Sequence, residues 1–309
     1  MEQKKDFLEL IIIGAGPAGL SASVYASRYG IKHVVFGSLL GGLISESHRM
    51  DNYLGIEDIN GFEFSQKILN HAKKYQTEII QDSIVSIQQE SAYFRLQSAS
   101  GKIFRAKTIL LAAGTKRRKL NIVGEEKFSG KGVSYCATCD GFFYKNKTVA
   151  VIGGNDSAVS AALYLADIAK KVYLIYRRDK LRAEPFWVKQ VEKNKQIKII
   201  YKTNLLEISG KVKVEKIKLD KPYPGQKSLQ VDGVFIEIGM DPDTELAKKL
   251  KIKTDKNGLI KVKNSGATSL TGVWAAGDIT NGSDEFRQVI TAAAEGAIAA
   301  RSIYNFLKK

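Results

Sequence analysis

Residues 8–13 (LELIII) are apolar at every position but one, the length and character of a single buried parallel strand. The turn Gly14-Ala15-Gly16-Pro17-Ala18-Gly19 follows without a spacer. An alanine-rich stretch over 20–29 then predicts a helix, and KHVVF at 32–36 a second apolar strand. The same order returns at 148–176: a strand over 148–152, a turn at 153–158, a helix over 157–169 and a strand over 171–176 (KVYLIY). The architecture repeats; the sequence does not. Between the two units, 79–111 carries alternating strands and ends in the apolar run 108–112. Further strands are predicted at 197–201, 212–219 and 231–238. The chain closes on GVWAAGDI at 272–279 and an alanine-rich helix at 288–305.

The run 272–277 reads as the last strand of the first unit's sheet, which makes the second unit an insertion. The fold class expected is α/β, with two Rossmann-like, three-layer ββα nucleotide-binding domains, the second inserted into the first. The first domain is 1–117 with 245–309 and the second is 118–244, the boundaries falling where the chain turns polar. A length of 309 residues suits two domains with cores of ordinary size.

Composition changes this picture little. With 44% hydrophobic and 26% charged residues, the chain is an ordinary globular protein. Its 48 Lys and Arg against 32 Asp and Glu leave a formal charge of +16. The lysines are scattered. In 211–221 they alternate with Val212, Val214, Ile217 and Leu219, with a slip at Glu215–Lys216, as on solvated strand faces. A nucleic-acid surface is therefore not expected, while an acidic protein partner is favoured by steering. No run of 18 apolar residues predicts a membrane span. Lys4 and Lys5 before the first apolar run mimic a signal peptide, but the order of glycines and proline fits a nucleotide loop better. The expected location is the cytoplasm.

The chemistry sits in three places. In the first turn, Gly14 makes the tight bend, Gly16 lets a pyrophosphate approach the backbone and Gly19 lets the helix pack on the strand. The helix N-terminus adds amides and the positive end of a dipole. The following strand ends in Phe36-Gly37-Ser38 without the carboxylate that would hold an adenosine ribose, so a hydroxyl or backbone group must serve. In the second turn, Gly153-Gly154-Asn155-Asp156-Ser157, asparagine replaces a glycine; it tolerates the backbone needed there, but its side chain is expected to crowd a pyrophosphate. The next strand runs into Tyr176-Arg177-Arg178, with Arg182 beyond. Guanidinium groups there suit a 2′-phosphate and favour NADPH over NADH. Third, Cys136 and Cys139 form a C-x-x-C pair followed by Asp140. Such pairs close a small ring, with lowered thiol pKa values and labile disulfides. Asp140 is placed to pass a proton to or from a departing thiolate. A structural zinc site wants four ligands, and His33, His48 and His71 lack the spacing, so no metal is expected.

In order, GAGPAG at 14–19, GG at 41–42, DNYLG at 51–55, CATCDGFFY at 136–144, the turn at 153–158, RRDKLRAE at 177–184, GVFIEIGMDP at 233–242 and GVWAAGD at 272–278 with RQ at 287–288 resemble the low-molecular-weight, bacterial-type thioredoxin reductases. The resemblance spans nearly the whole chain. It implies FAD on the interrupted domain and NADPH on the inserted one. The matching FAD positions are Gly14, Gly16, Pro17, Ala18, Gly19, Phe36, Gly37, Gly41, Gly42, Leu43, Asn52, Ala113, Gly114, Gly277, Asp278, Arg287, Gln288 and Val289. Those for NADPH are Gly153, Gly154, Asn155, Asp156, Ser157, Arg177, Arg178 and Arg182. The implied activity is a relay from NADPH through FAD and the Cys136–Cys139 disulfide to thioredoxin, by a homodimer, with Cys139 on the flavin side. Three positions depart from the family pattern: Leu43 stands where GGQ is usual, Tyr176 opens what is usually HRR, and Asn155 replaces a glycine. The family also has ferredoxin-linked members with degraded NADPH motifs, and the alternative is the same disulfide reductase driven by an acidic ferredoxin or another donor, with a degenerate NADPH site.

Overall fold

The computed structural model describes residues 7–223 and 225–309, so Lys4 and Lys5 lie outside the described residues. The chain divides into two compact units, Met1–Lys116 with Asp241–Lys309, and Arg117–Met240. The expected return to the first unit at 245 comes at Asp241 instead. The reason is local: Asp243 N–H donates to the Gly114 carbonyl at 3.0 Å, and Lys116 Nζ lies 3.0 Å from the Asp243 carboxylate.

The first unit opens with β1 (Phe7–Ile13), α1 (Pro17–Arg28), β2 (His33–Phe36), α2 (Gly61–Lys74), β3 (Glu78–Ile80), β4 (Ile84–Gln89), β5 (Phe94–Ser98), β6 (Ile103–Leu111) and β7 (Thr115–Arg117). The inserted unit holds β8 (Val133–Ser134), α3 (Ala137–Asp140), β9 (Thr148–Ile152), α4 (Asp156–Ala166), β10 (Lys171–Ile175), α5 (Pro185–Lys193), β11 (Ile197–Ile200), β12 (Leu205–Ser209), β13 (Lys216–Leu219), β14 (Ser228–Gln230) and β15 (Gly233–Ile236). The chain returns through β16 (Met240–Pro242), α6 (Glu245–Lys249) and β17 (Val273–Ala275) to α7 (Val289–Leu307).

The first sheet runs β3-β2-β1-β6-β5-β4, with β17 also on β6. Strands β3, β2, β1, β6 and β17 are parallel; β4 and β5 continue antiparallel. Val273 pairs with Ile109 and Ala275 with Leu111, so the late strand completes the early sheet. Side chains alternate across β1. Leu10 and Ile12 face a core shared with Ala18, Ala22 and Ala26 of α1 and Ala299, Ala300 and Ile303 of α7, while Ile11 and Ile13 face the core that holds Phe94 and Leu96 of β5. Alanine dominates the α1–α7 contact because small side chains let two helices share one face of the sheet.

The inserted unit repeats the plan with a five-stranded parallel sheet, β11-β10-β9-β15-β8. Val149 and Val151 of β9 face α4; Ala150 and Ile152 face the opposite core. A three-stranded antiparallel sheet, β12-β13-β14, covers that second side. The strand expected over 212–219 is shorter than its alternation suggests. It begins at Lys216, because Gly210–Glu215 is a connection: Val212 is 81% exposed while Val214 is buried. Glu215 N–H donates to the Ser209 carbonyl at 3.0 Å and closes that connection.

Candidate cofactor and redox sites

In the first unit, the parallel strands end beside the turn Gly14–Gly19. Gly14 has φ +124°, a conformation that L side chains rarely adopt, and its N–H donates to the Phe36 carbonyl at 2.7 Å. A Cβ on Gly19 would lie 1.8 Å from the Gly14 carbonyl oxygen, so only glycine lets α1 sit this close. No side chain caps α1, whose N-cap is Gly16. Its first amides are thus left for a ligand. Gly41 N–H donates to the Ala15 carbonyl at 2.9 Å, which brings Gly41-Gly42 against the same turn.

Phe36 is buried, its ring edge-on to Phe104 in the core, while its backbone carbonyl accepts the Gly14 N–H at the turn. Ser38 supplies the exposed hydroxyl, without a hydrogen-bond partner among the described residues. Asn52 and Gln288 meet: Asn52 Nδ2 donates to Gln288 Oε1 at 3.0 Å across 236 positions of sequence. Gln288 also caps α7, in a capping box with Thr291.

Asp278 lies in a small open pocket with Gly277, Thr280, Phe286, Arg287 and Glu295. Burial raises its carboxyl pKa; Arg287 pulls it down and Glu295 pushes it up. It accepts no hydrogen bond from any described residue, which leaves it for a ligand hydroxyl. An uncapped helix behind a glycine-rich turn and a half-buried carboxylate without a donor among the described residues fit a dinucleotide such as FAD. Glu295 was absent from the expected site residues. Its signal in the sequence was slight, a lone carboxylate in an alanine-rich helix beside Gly296.

The second turn behaves differently. Asn155 has φ −95° and ψ −178°, so no left-handed backbone is needed there. Its Oδ1 accepts the Ala158 N–H at 3.1 Å and caps α4. The side chain is thus turned onto its own helix. Gly154 is required by Tyr176: a Cβ there would lie 2.6 Å from three ring atoms of that buried tyrosine. Arg182 N–H donates to the Gly154 carbonyl at 2.6 Å, and Glu184 N–H to Asp156 Oδ1 at 2.7 Å. These bonds fasten 177–184 over the turn. Arg177, Arg178 and Arg182 are exposed and make no ion pair or hydrogen bond through their side chains among the described residues. Three free guanidinium groups beside a helix N-terminus fit a nucleotide with an extra phosphate. Asn155→Asp keeps the cap and adds a negative charge at this turn. It is expected to raise the KM for NADPH about tenfold at unchanged Tm in steady-state assays and thermal melts, the size of ~1.4 kcal/mol. An unchanged KM would remove the nucleotide from this turn.

Cys136 and Cys139 form a disulfide, and no free cysteine remains. Cys136 is the N-cap of α3, its Sγ accepting the Cys139 N–H at 3.1 Å. The approach to the pair is pinned twice. Cys136 N–H donates to Ser134 Oγ at 3.1 Å, and the Tyr135 hydroxyl donates to the buried Glu125 carboxylate at 2.8 Å. That carboxylate also accepts the Leu120 N–H at 2.9 Å, and burial together with the hydroxyl's own bond to Glu125 raises the Tyr135 pKa. Beyond the pair, Phe142 and Phe143 are 73% and 67% exposed.

Two nucleotide-type turns and a redox-capable disulfide on one chain define an oxidoreductase. The chain belongs to the pyridine nucleotide-disulphide oxidoreductase family, which it matches over residues 8–296. It is 36% identical over 312 residues to thioredoxin reductase of Bacillus subtilis, covering 100% of this chain and 97% of that one. The crystal structure of T. acidophilum thioredoxin reductase superposes with a TM-score of 0.92 at 34% identity, over 99% of this chain and 100% of the other. A ferredoxin-flavin thioredoxin reductase from Clostridium acetobutylicum matches with a TM-score of 0.53 at 32% identity, over 98% and 99% of the two chains. Among the described residues, no helix is long and apolar enough to cross a membrane.

Proposed function

We propose that this chain is an FAD-dependent thioredoxin-disulfide reductase that takes its electrons from NADPH. The Cys136–Cys139 disulfide carries the reading, because it supplies a two-electron group on a chain that also holds two nucleotide-type turns. FAD, when bound, supplies two-electron transfer between a nicotinamide and a disulfide. The residues that would hold it are the Gly14–Gly19 turn and the first amides of α1 for the pyrophosphate, Asp278 for a hydroxyl of the chain that carries the ring, and Asn52, Arg287, Gln288 and Val289 beside the ring itself. The Gly153–Ser157 turn with Arg177, Arg178 and Arg182 would hold NADPH.

Two electrons and two protons convert the disulfide to two thiols. The Cys139 N–H that points at Cys136 Sγ favours a thiolate there, and Asp140, next in sequence, is placed to hold or return a proton. A thiolate attacks the substrate disulfide and forms a mixed disulfide; the second cysteine displaces it, re-forms Cys136–Cys139 and releases the substrate as a dithiol. Exposed Phe142 and Phe143 beside the pair give a protein substrate an apolar surface to meet. The enzyme acts in the cytoplasm as a homodimer, as the resemblance implies.

The second reading is the same reductase driven by an acidic ferredoxin. The formal charge of +16 favours it, as does Asn155, which spends an amide of α4 on its own cap. The three free arginines weigh against it. The test is to mix the FAD-loaded protein with NADPH without oxygen and follow its visible absorbance. Bleaching by NADPH, reversed by oxidised thioredoxin, is the expected result. Bleaching by reduced ferredoxin alone would overturn the NADPH assignment.

A further inference from the structure

The segment Gly277–Gln288 carries cofactor residues at both of its ends, Asp278 at one and Arg287 and Gln288 at the other. Its middle has little regular structure of its own. Ser283, Asp284 and Glu285 have φ of +50°, +52° and +58°, three consecutive non-glycine residues in the left-handed region. Such a backbone persists only where the surroundings hold it. Asn281 N–H donates to the Ile260 carbonyl at 3.1 Å and Asn257 Nδ2 to Glu285 Oε1 at 3.3 Å, but the part of the segment next to Asp278 is held by one side chain of α7. Glu295 Oε2 accepts the Gly277 N–H at 2.8 Å and the Thr280 hydroxyl at 2.9 Å, and Oε1 accepts the Ser283 hydroxyl at 2.7 Å. Thr280 Oγ1 in turn accepts the Gly282 N–H at 3.0 Å, and a Cβ on Gly282 would lie 2.6 Å from Glu295 Oε1. The carboxylate is itself fixed relative to the pyrophosphate turn. A Cβ on the neighbouring Gly296 would lie 2.0 Å from the Ala18 carbonyl oxygen, and one on Gly277 would lie 3.0 Å from the Ala18 Cβ. The helix that carries Glu295 therefore touches the first turn of α1.

We propose that Glu295 is a positioning residue for the flavin cofactor: it holds the Gly277–Ser283 segment so that Asp278 is presented, in register with the open N-terminus of α1, to a dinucleotide lying between them. It acts through Asp278 and touches no reacting atom. The inference rests on the FAD reading above and extends it to a residue outside the motifs that carry that reading. Both carboxylates lie in the same pocket, and of the two only Glu295 is spent on donors among the described residues. One group organises; the other is left for the ligand.

The test uses the full-length apoprotein, prepared by stripping the flavin, and measures FAD affinity by fluorescence titration beside a thermal melt without cofactor. Glu295→Ala removes all three anchors and is expected to raise the FAD Kd at least tenfold, about 1.4 kcal/mol. Glu295→Gln keeps one carbonyl oxygen for Gly277 N–H and the Thr280 hydroxyl, and is expected to restore most of the affinity. Ser283→Ala removes one anchor and is expected to fall between wild type and Glu295→Ala. If Glu295→Ala does not fold, Ser283→Ala and the isosteric Thr280→Val carry the test, each with weakened FAD affinity at a near-normal apoprotein Tm. A wild-type Kd in the variants that fold would overturn the proposal. So would equal losses of affinity and apoprotein Tm in Glu295→Ala and Glu295→Gln, since a merely structural role predicts that pattern. A wild-type apoprotein that takes up no FAD would overturn the proposed function together with this inference; normal uptake by wild type and Glu295→Ala alike overturns the inference alone.

Discussion

Replacing Cys139 with serine is expected to abolish thioredoxin reduction while NADPH still bleaches the bound flavin. The chain has two cysteines, and both are spent on one disulfide. Serine cannot close that bond, so the two-electron group is lost and no other cysteine can replace it. The change costs little stability for a clear reason. Cys139 is exposed, and its backbone N–H, which donates to Cys136 Sγ, is unaffected by the side chain. Thiol titration of the denatured protein supplies an independent check. Wild type should show no thiol before reduction and a pair after it, whereas the variant should show a single thiol throughout. Thioredoxin turnover that survives in the variant would place the redox group elsewhere.

The second large effect is expected at the inserted unit. Changing Arg177 and Arg178 together to alanine should raise the KM for NADPH roughly tenfold to a hundredfold, while the KM for NADH moves little. A hydrogen bond to a charged partner contributes about 1.5–3 kcal/mol, and solvent exposure of these side chains lowers that figure to about 1 kcal/mol each. Neither guanidinium has a protein partner among the described residues, so their removal breaks no internal contact and the melting temperature should hold. The discrimination lies in the difference between the nucleotides, because only NADPH carries the 2′-phosphate. Equal effects on both would remove the arginines from that role. The result also bears on the ferredoxin reading, in which nucleotide affinity would be weak before the change and after it.

The parts of these sites legible in the sequence are those where a backbone shape dictates the residue. Gly14 must be glycine because φ is +124°, and Gly19 because α1 presses on the Gly14 carbonyl. Such positions print a pattern that survives without any partner in view. The C-x-x-C spacing is legible for the same reason, since a ring of that size needs no distant residue to close it. Asn155 is legible by type only as a replaced glycine, whereas its rotamer, directed onto Ala158 N–H, makes it the cap of α4. Phe36, the last residue of β2, matches a cofactor position by resemblance, and alternation along that strand sends its ring into the core against Phe104. The alternation over 212–215 predicts a strand because the sequence shows period but not pairing, and those residues have no ladder partner in the β12–β13–β14 sheet.

The sequence by itself therefore determined two nucleotide-type turns, each opening a helix after a buried strand, and one redox pair between them. Their signals are local: backbone conformation, strand burial and ring size act within a few residues. The tertiary structure alone decided which side chains finish each site. Glu295 holds partners 12 to 18 positions away, Asn52 meets Gln288 across 236, and the Tyr135 hydroxyl meets Glu125 across 10. The donors that Glu295 binds are a backbone amide and two hydroxyls, groups so common that no residue type records their arrangement. Only the folding of α7 onto α1, set by the contact of Gly296 with Ala18, brings that carboxylate to the segment it holds.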